Sequence, residues 1–273
     1  MGKLFKNLKP YWKSVLMIVV LLVVQAFCDL SLPQYTSDII DTGIQNSGVE
    51  HILPEKITAE EFQNAQLFMT ADEQKTWQDA YSGDGALLDR NDCSKKDLEQ
   101  FDSDLIVPIL LNYQMSMMSE DSFREMLAQQ QQGNPQAAEQ LQKMSIADIG
   151  NSMGITLTPF ERTEEDDNGN KTTVTCVDVR PLFAAMQEAG QFTEETRSEM
   201  RSQLETMLDT MGESLVQSMG IAYAVQCDQA AGLDTDKIQT NYLWAAGGKM
   251  IAIAFAMMAV TICVSYVAAR VGA

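Results

Sequence analysis

The chain contains one histidine, His51, and no G-x-x-x-x-G-K-[ST] segment. The first absence excludes a His-based metal cluster and a Ser/His/Asp triad built within this chain. The second excludes nucleotide binding in the P-loop manner. Cysteine is scarce, at 5 residues. Cys28 and Cys263 fall in apolar runs and read as packing residues. Cys93, Cys176 and Cys227 can make at most one internal bridge and leave one thiol over, so no disulfide framework is implied. Positive charge is scarce too. There are 19 Lys+Arg against 38 Asp+Glu, for a net charge of -19. Such a surface repels nucleic acid and anionic lipid and attracts cations. No catalytic, cofactor-binding or metal-binding constellation emerges. The acidic run Glu164–Gly169 places Glu164, Asp166 and Asn168 at EF-hand ligand positions. The closing bidentate carboxylate would then fall at Thr175, which cannot supply it, and an acidic turn is the simpler reading.

What the chain does have is two long apolar runs. Its mean hydropathy is that of a soluble protein, but the average hides where the apolar residues lie. Val15–Leu32 and Leu243–Ala269 are nearly free of charge. Roughly 20 helical residues span a hydrocarbon core about 30 Å thick. Both runs fit, the second being rich in the small residues that let helices approach closely. A cleaved signal peptide is the rival for the first run. That run is longer than a signal core, and no small-x-small cleavage site follows it.

Lys3, Lys6, Lys9 and Lys13 precede the first run and Arg270 ends the second. Such charges favour the cytoplasmic side. The expected topology therefore puts both termini in the cytoplasm and Pro33–Tyr242 outside. That outer stretch carries 13 basic against 37 acidic side chains, a net charge of −24. The expected organisation is a basic cytoplasmic elbow over 1–13, and a first transmembrane helix with its outer extension over 14–44. An acidic extracellular domain over 45–233 and a second transmembrane helix over 234–273 complete it.

Within the outer stretch the signals are mostly helical. Thr58 and Thr70 each precede acidic residues in capping-box fashion, predicting helices over Ala59–Leu67 and Ala71–Tyr81. Ser82–Gly85 reads as a turn. Ser94 caps a helix through Leu98, Phe101 and Leu105 that reaches toward Met118, with Pro108 kinking or breaking it. Ser119 or Asp121 caps the next helix, which ends at Gln129–Gln132 before Gly133-Asn134-Pro135. A short helix then runs to Met144, and Gly150–Thr158 is a connection. Phe160–Thr163 and Thr172–Asp178 form a small β-hairpin around Asp167–Asn170. Pro181–Ala189 and Glu194–Met219 are amphipathic helices. In the latter, Met200, Leu204, Met207, Leu208, Met211 and Leu215 recur at helical spacing as a core face. The fold class is a mainly α membrane protein: two transmembrane helices flanking a mostly helical extracellular domain with a small hairpin.

Two stretches resemble a known family. Leu4–Ile44 carries Asp29-Leu30-x-Leu32-Pro33, then Ser37-Asp38-Ile39-Ile40-Asp41-x-Gly43-Ile44. Asp234–Ala273 carries Asp234-x-x-x-Ile238-Gln239-x-x-Tyr242, Gly247-x-Lys249-Met250 and Tyr266-x-Ala268-x-Arg270-x-Gly272-Ala273. Together they resemble the first two helices of bacterial multidrug ABC exporter half-transporters, with the domain between them as an extracellular insertion. The resemblance implies that the chain is the N-terminal part of a longer transporter in the bacterial plasma membrane. Four more spans and a nucleotide-binding domain would follow, with ATP and Mg bound there and not in this chain. Membrane lipid and a second half-transporter, in a homo- or heterodimer, would be partners. The alternatives are the ligand-sensing region of a two-span receptor or sensor kinase, and a surface scaffold.

Asp29 and Lys249 are the charges well inside the two runs. Lone charges there usually find a partner or water. Lys13 to Asp29 is about 24 Å of helix and Arg270 to Lys249 about 31 Å, so both lie in the outer half. The expectation is an Asp29–Lys249 ion pair. Its rival is Lys249 reaching the outer headgroups while Asp29 faces a wet cavity. Gln25, Pro33, Gly247 and Gly248 are the candidate pathway or helix-packing residues.

Overall fold

The computed structural model describes residues 12–83, 85–130, 143–165 and 171–272. Most of the basic elbow, the break at Gly133–Pro135 and the turn at Asp167–Asn170 lie outside them. The chain divides into two units, one made of Met1–Glu50 with Asp234–Ala273 and the other of His51–Leu233.

The first unit is a pair of long helices. Helix α1 spans Trp12–Asp38 and widens into a π-helical turn over Ile39–Gln45. Helix α10 spans Thr235–Gly272. Both are long and apolar enough to cross a membrane. Pro33 sits inside α1 and does not end it. The half-buried positions of α1 include Ile18, Leu21, Gln25, Cys28, Leu32 and Tyr35. Those of α10 include Leu243, Met250, Ile253, Met257 and Val260, with Ala246 buried. Each set steps by three and four residues, the spacing of a coiled-coil seam. The end of α1 meets the start of α10, so the helices run antiparallel. A Cβ at Gly43 would lie 2.7 Å from a Leu243 methyl, and the Gln239 amide donates to the Gly43 carbonyl at 2.8 Å. Gly48 has φ +79°, and a Cβ there would lie 2.9 Å from Gln239 Cα, so only glycine allows this approach.

The second unit is mostly helical with two small antiparallel sheets. Strands β1 (Lys56–Thr58), β2 (Tyr81–Ser82) and β3 (Leu87–Arg90) form the first, in the order β1-β3-β2. Between them lie α2 (Ala59–Gln66) and α3 (Ala71–Asp79). Thr58 caps α2, and Thr70 with Glu73 forms a complete capping box on α3. Helix α4 (Lys95–Ser116) starts from a Ser94–Asp97 capping box. It then runs through Pro108, so of the expected kink or break the break does not occur. Interior proline costs about 3 kcal/mol. Here Leu105, Pro108, Ile109, Leu110 and Leu111 are all buried on α4, and that burial outweighs the lost hydrogen bond.

Strand β4 (Met118–Ser119) leads into α5 (Glu120–Gln130), where the Ser119 hydroxyl accepts from the Ser122 amide at 3.2 Å. Helix α6 (Ile146–Ser152) follows, capped by Ser145. The helix therefore extends into the connection expected over Gly150–Thr158. Strands β5 (Pro159–Glu165) and β6 (Lys171–Val177) form the expected hairpin, and β4 joins it in the order β4-β6-β5. Helices α7 (Arg180–Glu188), α8 (Glu194–Leu208) and α9 (Glu213–Ala230) complete the unit. The single helix expected over Glu194–Met219 is therefore two. The chain turns at Asp209–Gly212, and Gly212 adopts the extended N-cap conformation of α9. Leu204 and Leu208 of the expected stripe are in the core, whereas Met207 and Leu215 are exposed.

Phe68, Phe183 and Phe192 meet edge to face at 5.3–6.0 Å between centroids in this core. Arg201 ties α8 to α3 through Glu73 at 2.6 and 2.7 Å. Burial pushes the Glu73 carboxyl up, but the bonds from Arg201 and Thr70 outweigh it and its pKa is lowered. Helix α9 packs so closely that a Cβ at Gly220 would lie 2.7 Å from both Ile106 Cδ1 and Ile52 Cγ2. Gly220→Ala is expected to cost about 1–3 kcal/mol by overpacking. A lower urea midpoint for the full chain in nonionic detergent would show it, and an unchanged midpoint would refute the tight contact.

Candidate functional site

Several short local rules converge on one cavity in the second unit. Thr58 ends β1 and caps α2, which places Glu60 and Glu61 in the first turn of that helix. Asp178 and Arg180 lie where β6 passes into α7, with Pro181 in the first turn of α7. Tyr223 and Cys227 stand one turn apart on α9. These residues line a cavity of about 400 Å³ together with Asn64, Ser116, Phe160, Gln226 and Ala230.

Arg180 is the centre of its polar wall and is 7% exposed. Its Nη1 donates to both Glu61 oxygens at 2.7 Å and to Asn112 Oδ1 at 3.2 Å. Its Nε and Nη2 donate to Asp178 at 2.9 and 2.8 Å. Asn112 Nδ2 donates in turn to Glu61 Oε1 at 2.8 Å. One cation thus holds α2, α4 and the end of β6 together. Burial lowers the Arg180 pKa, but Asp178 and Glu61 outweigh it and the guanidinium stays charged.

The apolar wall has a polar flaw. The Tyr223 side chain is buried, and its hydroxyl, whose polar neighbour is the Cys227 thiol, has no hydrogen-bond partner of good geometry among the described residues. Burial raises its pKa well above the usual value, and the neighbouring Cys227 and Glu61 add to the shift. Burial likewise raises the Cys227 thiol, with Glu61 next in effect. Neither group ionises near neutral pH, so the wall offers a neutral hydroxyl and a neutral thiol.

Asp228 lies one residue beyond Cys227. Its Oδ1 accepts from the Lys56 amide at 2.8 Å, while Oδ2 is buried without a partner among the described residues. Burial pushes this carboxyl up to about 6, against the Lys56 hydrogen bond. His51, in the irregular segment before β1, pairs with Asp102 at 2.6 Å in a mostly buried position.

The residues singled out in the sequence lie elsewhere, in the first unit. Asp29 and Lys249 are exposed on the helix pair and form no ion pair with each other. Gln25 lies on the seam, and Pro33 is exposed. A Cβ at Gly247 or Gly248 would meet nothing within 4 Å among the described residues, so their small size is not used inside the pair. No disulfide joins any cysteine; Cys176 and Cys227 are buried and Cys93 is half-buried. The acidic run at Glu164–Gly169 falls largely outside the described residues.

Sequence reasoning passed over Arg180, Tyr223 and Cys227. The Asp178-Val179-Arg180-Pro181 segment was the available signal for the first. Nothing local couples it to Glu61, 119 residues away. Comparison with family models, with curated proteins and with solved structures finds no match to this chain.

Proposed function

We propose that α1 and α10 cross a membrane side by side and display the acidic unit outside, as the N-terminal part of an ATP-driven exporter. The observation that carries the membrane reading is the surface of the helix pair. In each helix the most apolar stretch is 0% buried, which is not how a soluble protein treats a core helix. A cleaved signal could account for α1 but not for α10. Both connections to the acidic unit leave the same end of the pair, because the end of α1 adjoins the start of α10. One side of the membrane therefore receives the whole unit, and the positive-inside rule makes it the outer side.

The exporter reading rests on the resemblance at Leu4–Ile44 and Asp234–Ala273. Under it, the chain supplies two pathway helices and an outer cap, and ATP and Mg bind in parts of the parent protein other than this chain. The cavity of about 400 Å³ favours a second reading, a two-span receptor that senses a ligand.

One experiment tests the topology that both readings share, and a second separates them. In cells expressing the chain with Cys28 and Cys263 replaced by serine, an impermeant maleimide is expected to label Cys93, while an N-terminal tag stays protected until lysis. Labelling of Cys93 only after lysis would reverse the topology. The encoding gene is expected to continue past Ala273 into further apolar spans and a G-x-x-x-x-G-K-[ST] segment. Continuation into a signalling helix pair would leave the topology standing and replace the exporter with the receptor.

A further inference from the structure

We infer that Asp228 is the pH-sensitive catch of a clasp that fastens the two ends of the second unit. With its carboxyl protonated it holds the segment Leu53–Lys56 against α9, and ionisation loosens that hold. Every group involved belongs to the second unit, so the clasp does not depend on the exporter reading.

The clasp follows from where the two ends meet. Strand β1 is the first strand or helix of the unit and α9 the last. Asp228 stands in the last turn of α9, and its Oδ1 accepts from the amide of Lys56, which opens β1 and lies 172 residues away in sequence. The residues just before Lys56 are fastened one by one. The Arg90 guanidinium donates to the Leu53 carbonyl, the Tyr81 hydroxyl to the Pro54 carbonyl at 3.0 Å, and the Arg90 amide to the Glu55 carbonyl at 2.9 Å. A guanidinium, a phenol and a peptide amide keep their protons at neutral pH. Asp228 supplies the fastening that a proton can switch.

The surroundings of the carboxyl set the direction of the switch. Asp228 is 0% exposed, and its Oδ2 has no partner among the described residues. A buried charge is tolerated when it is paired and hydrogen-bonded. Here the nearby cations are committed elsewhere. The Lys56 ammonium pairs with Asp89 at 3.0 Å, and the Arg90 guanidinium serves the Leu53 carbonyl and, at 3.9 Å, Glu55. The remaining titratable neighbours are Glu55, whose charge opposes a second one, and Tyr81 and Cys227, which burial keeps neutral. Burial prevails over the Lys56 amide and the Arg90 charge, and the carboxyl sits at about 6. In the released segment it returns to its ordinary 3.8, so release is favoured as pH rises. Those two values make the opening constant about tenfold larger at pH 8 than at pH 5.

The test is hydrogen exchange of the full chain in nonionic detergent at pH 5 and pH 8, each amide's rate divided by its intrinsic rate. The amides of Lys56 and Arg90 report the segment. The amide of Ile149, bonded to the Ser145 carbonyl in the core, reports unfolding of the whole unit. From pH 5 to pH 8 the opening at Lys56 and Arg90 is expected to grow about tenfold in the wild type. In Asp228→Asn, which keeps an acceptor for Lys56 but does not titrate, it should grow less than about twofold. At pH 8 both wild-type amides should open at least about tenfold more often than Ile149 and be indifferent to low urea, because a local opening exposes little surface. Glu55→Gln changes an exposed side chain and should move the rise to lower pH, because it removes a negative charge that opposes ionisation. One opening constant shared by all three amides at pH 8, a rise confined to Lys56, or a pH dependence unchanged in both variants would each overturn the clasp.

Discussion

Arg180→Met is expected to destabilise the second unit by about 3–5 kcal/mol at neutral pH, the cost of removing one partner from a buried ion cluster. Glu61 and Asp178 would then be left without the guanidinium that both now share. Asn112 would keep its bond to Glu61 but lose a donor to its own oxygen. Arg180→Lys should recover only part of the loss. An ammonium keeps the charge but cannot reach two carboxylates and an amide in one plane. The measurement is the denaturant midpoint of the full chain in nonionic detergent at pH 7. A loss under about 1 kcal/mol at pH 7, the size of an exposed pair, would show that the cluster is solvated in solution.

Asp228 produces an effect of similar size that depends on pH. Its carboxyl sits at about 6 in the folded protein against 3.8 ordinarily. A raised carboxyl pKa means that the folded state binds the proton more tightly than the unfolded chain. The stability it contributes is therefore fully present below pH 3.8 and is lost as pH rises through about 6. The gap between those values corresponds to about 3 kcal/mol at most. Asp228→Asn removes this contribution and keeps an acceptor for the Lys56 amide. Between pH 4 and pH 7 the wild type should lose more stability than the variant, by up to about that amount. Glu73 works the other way in both proteins, since its lowered pKa contributes stability that is lost as pH falls. Only the difference between the two proteins isolates Asp228. Parallel pH profiles would mean that the carboxyl is hydrated and its burial of no consequence.

The sequence by itself determined what depends on neighbours a few residues apart. The caps at Thr58, Thr70 and Ser94 are legible because each hydroxyl bonds an amide three residues on. The β5–β6 hairpin is legible because its turn signal lies within one short stretch. The two apolar helices are legible because a long uncharged run needs no partner to be recognised. The seam of α1 and α10 also follows a heptad spacing, though so apolar a background conceals it.

Only the tertiary structure decided the rest, because there the deciding contact is remote. Strands β1, β2 and β3 have two to four residues each, too few for alternation to stand out, and they exist because β3 pairs with both others. The helix expected over Glu194–Met219 breaks although its apolar spacing continues, and its two halves each pack against α4. Pro108 stays helical because the surrounding residues of α4 are buried. The candidate site is the extreme case. Glu61, Asn112, Asp178 and Arg180 are unremarkable in sequence. Folding brings them together out of water, where a shared guanidinium becomes the alternative to two uncompensated carboxylates.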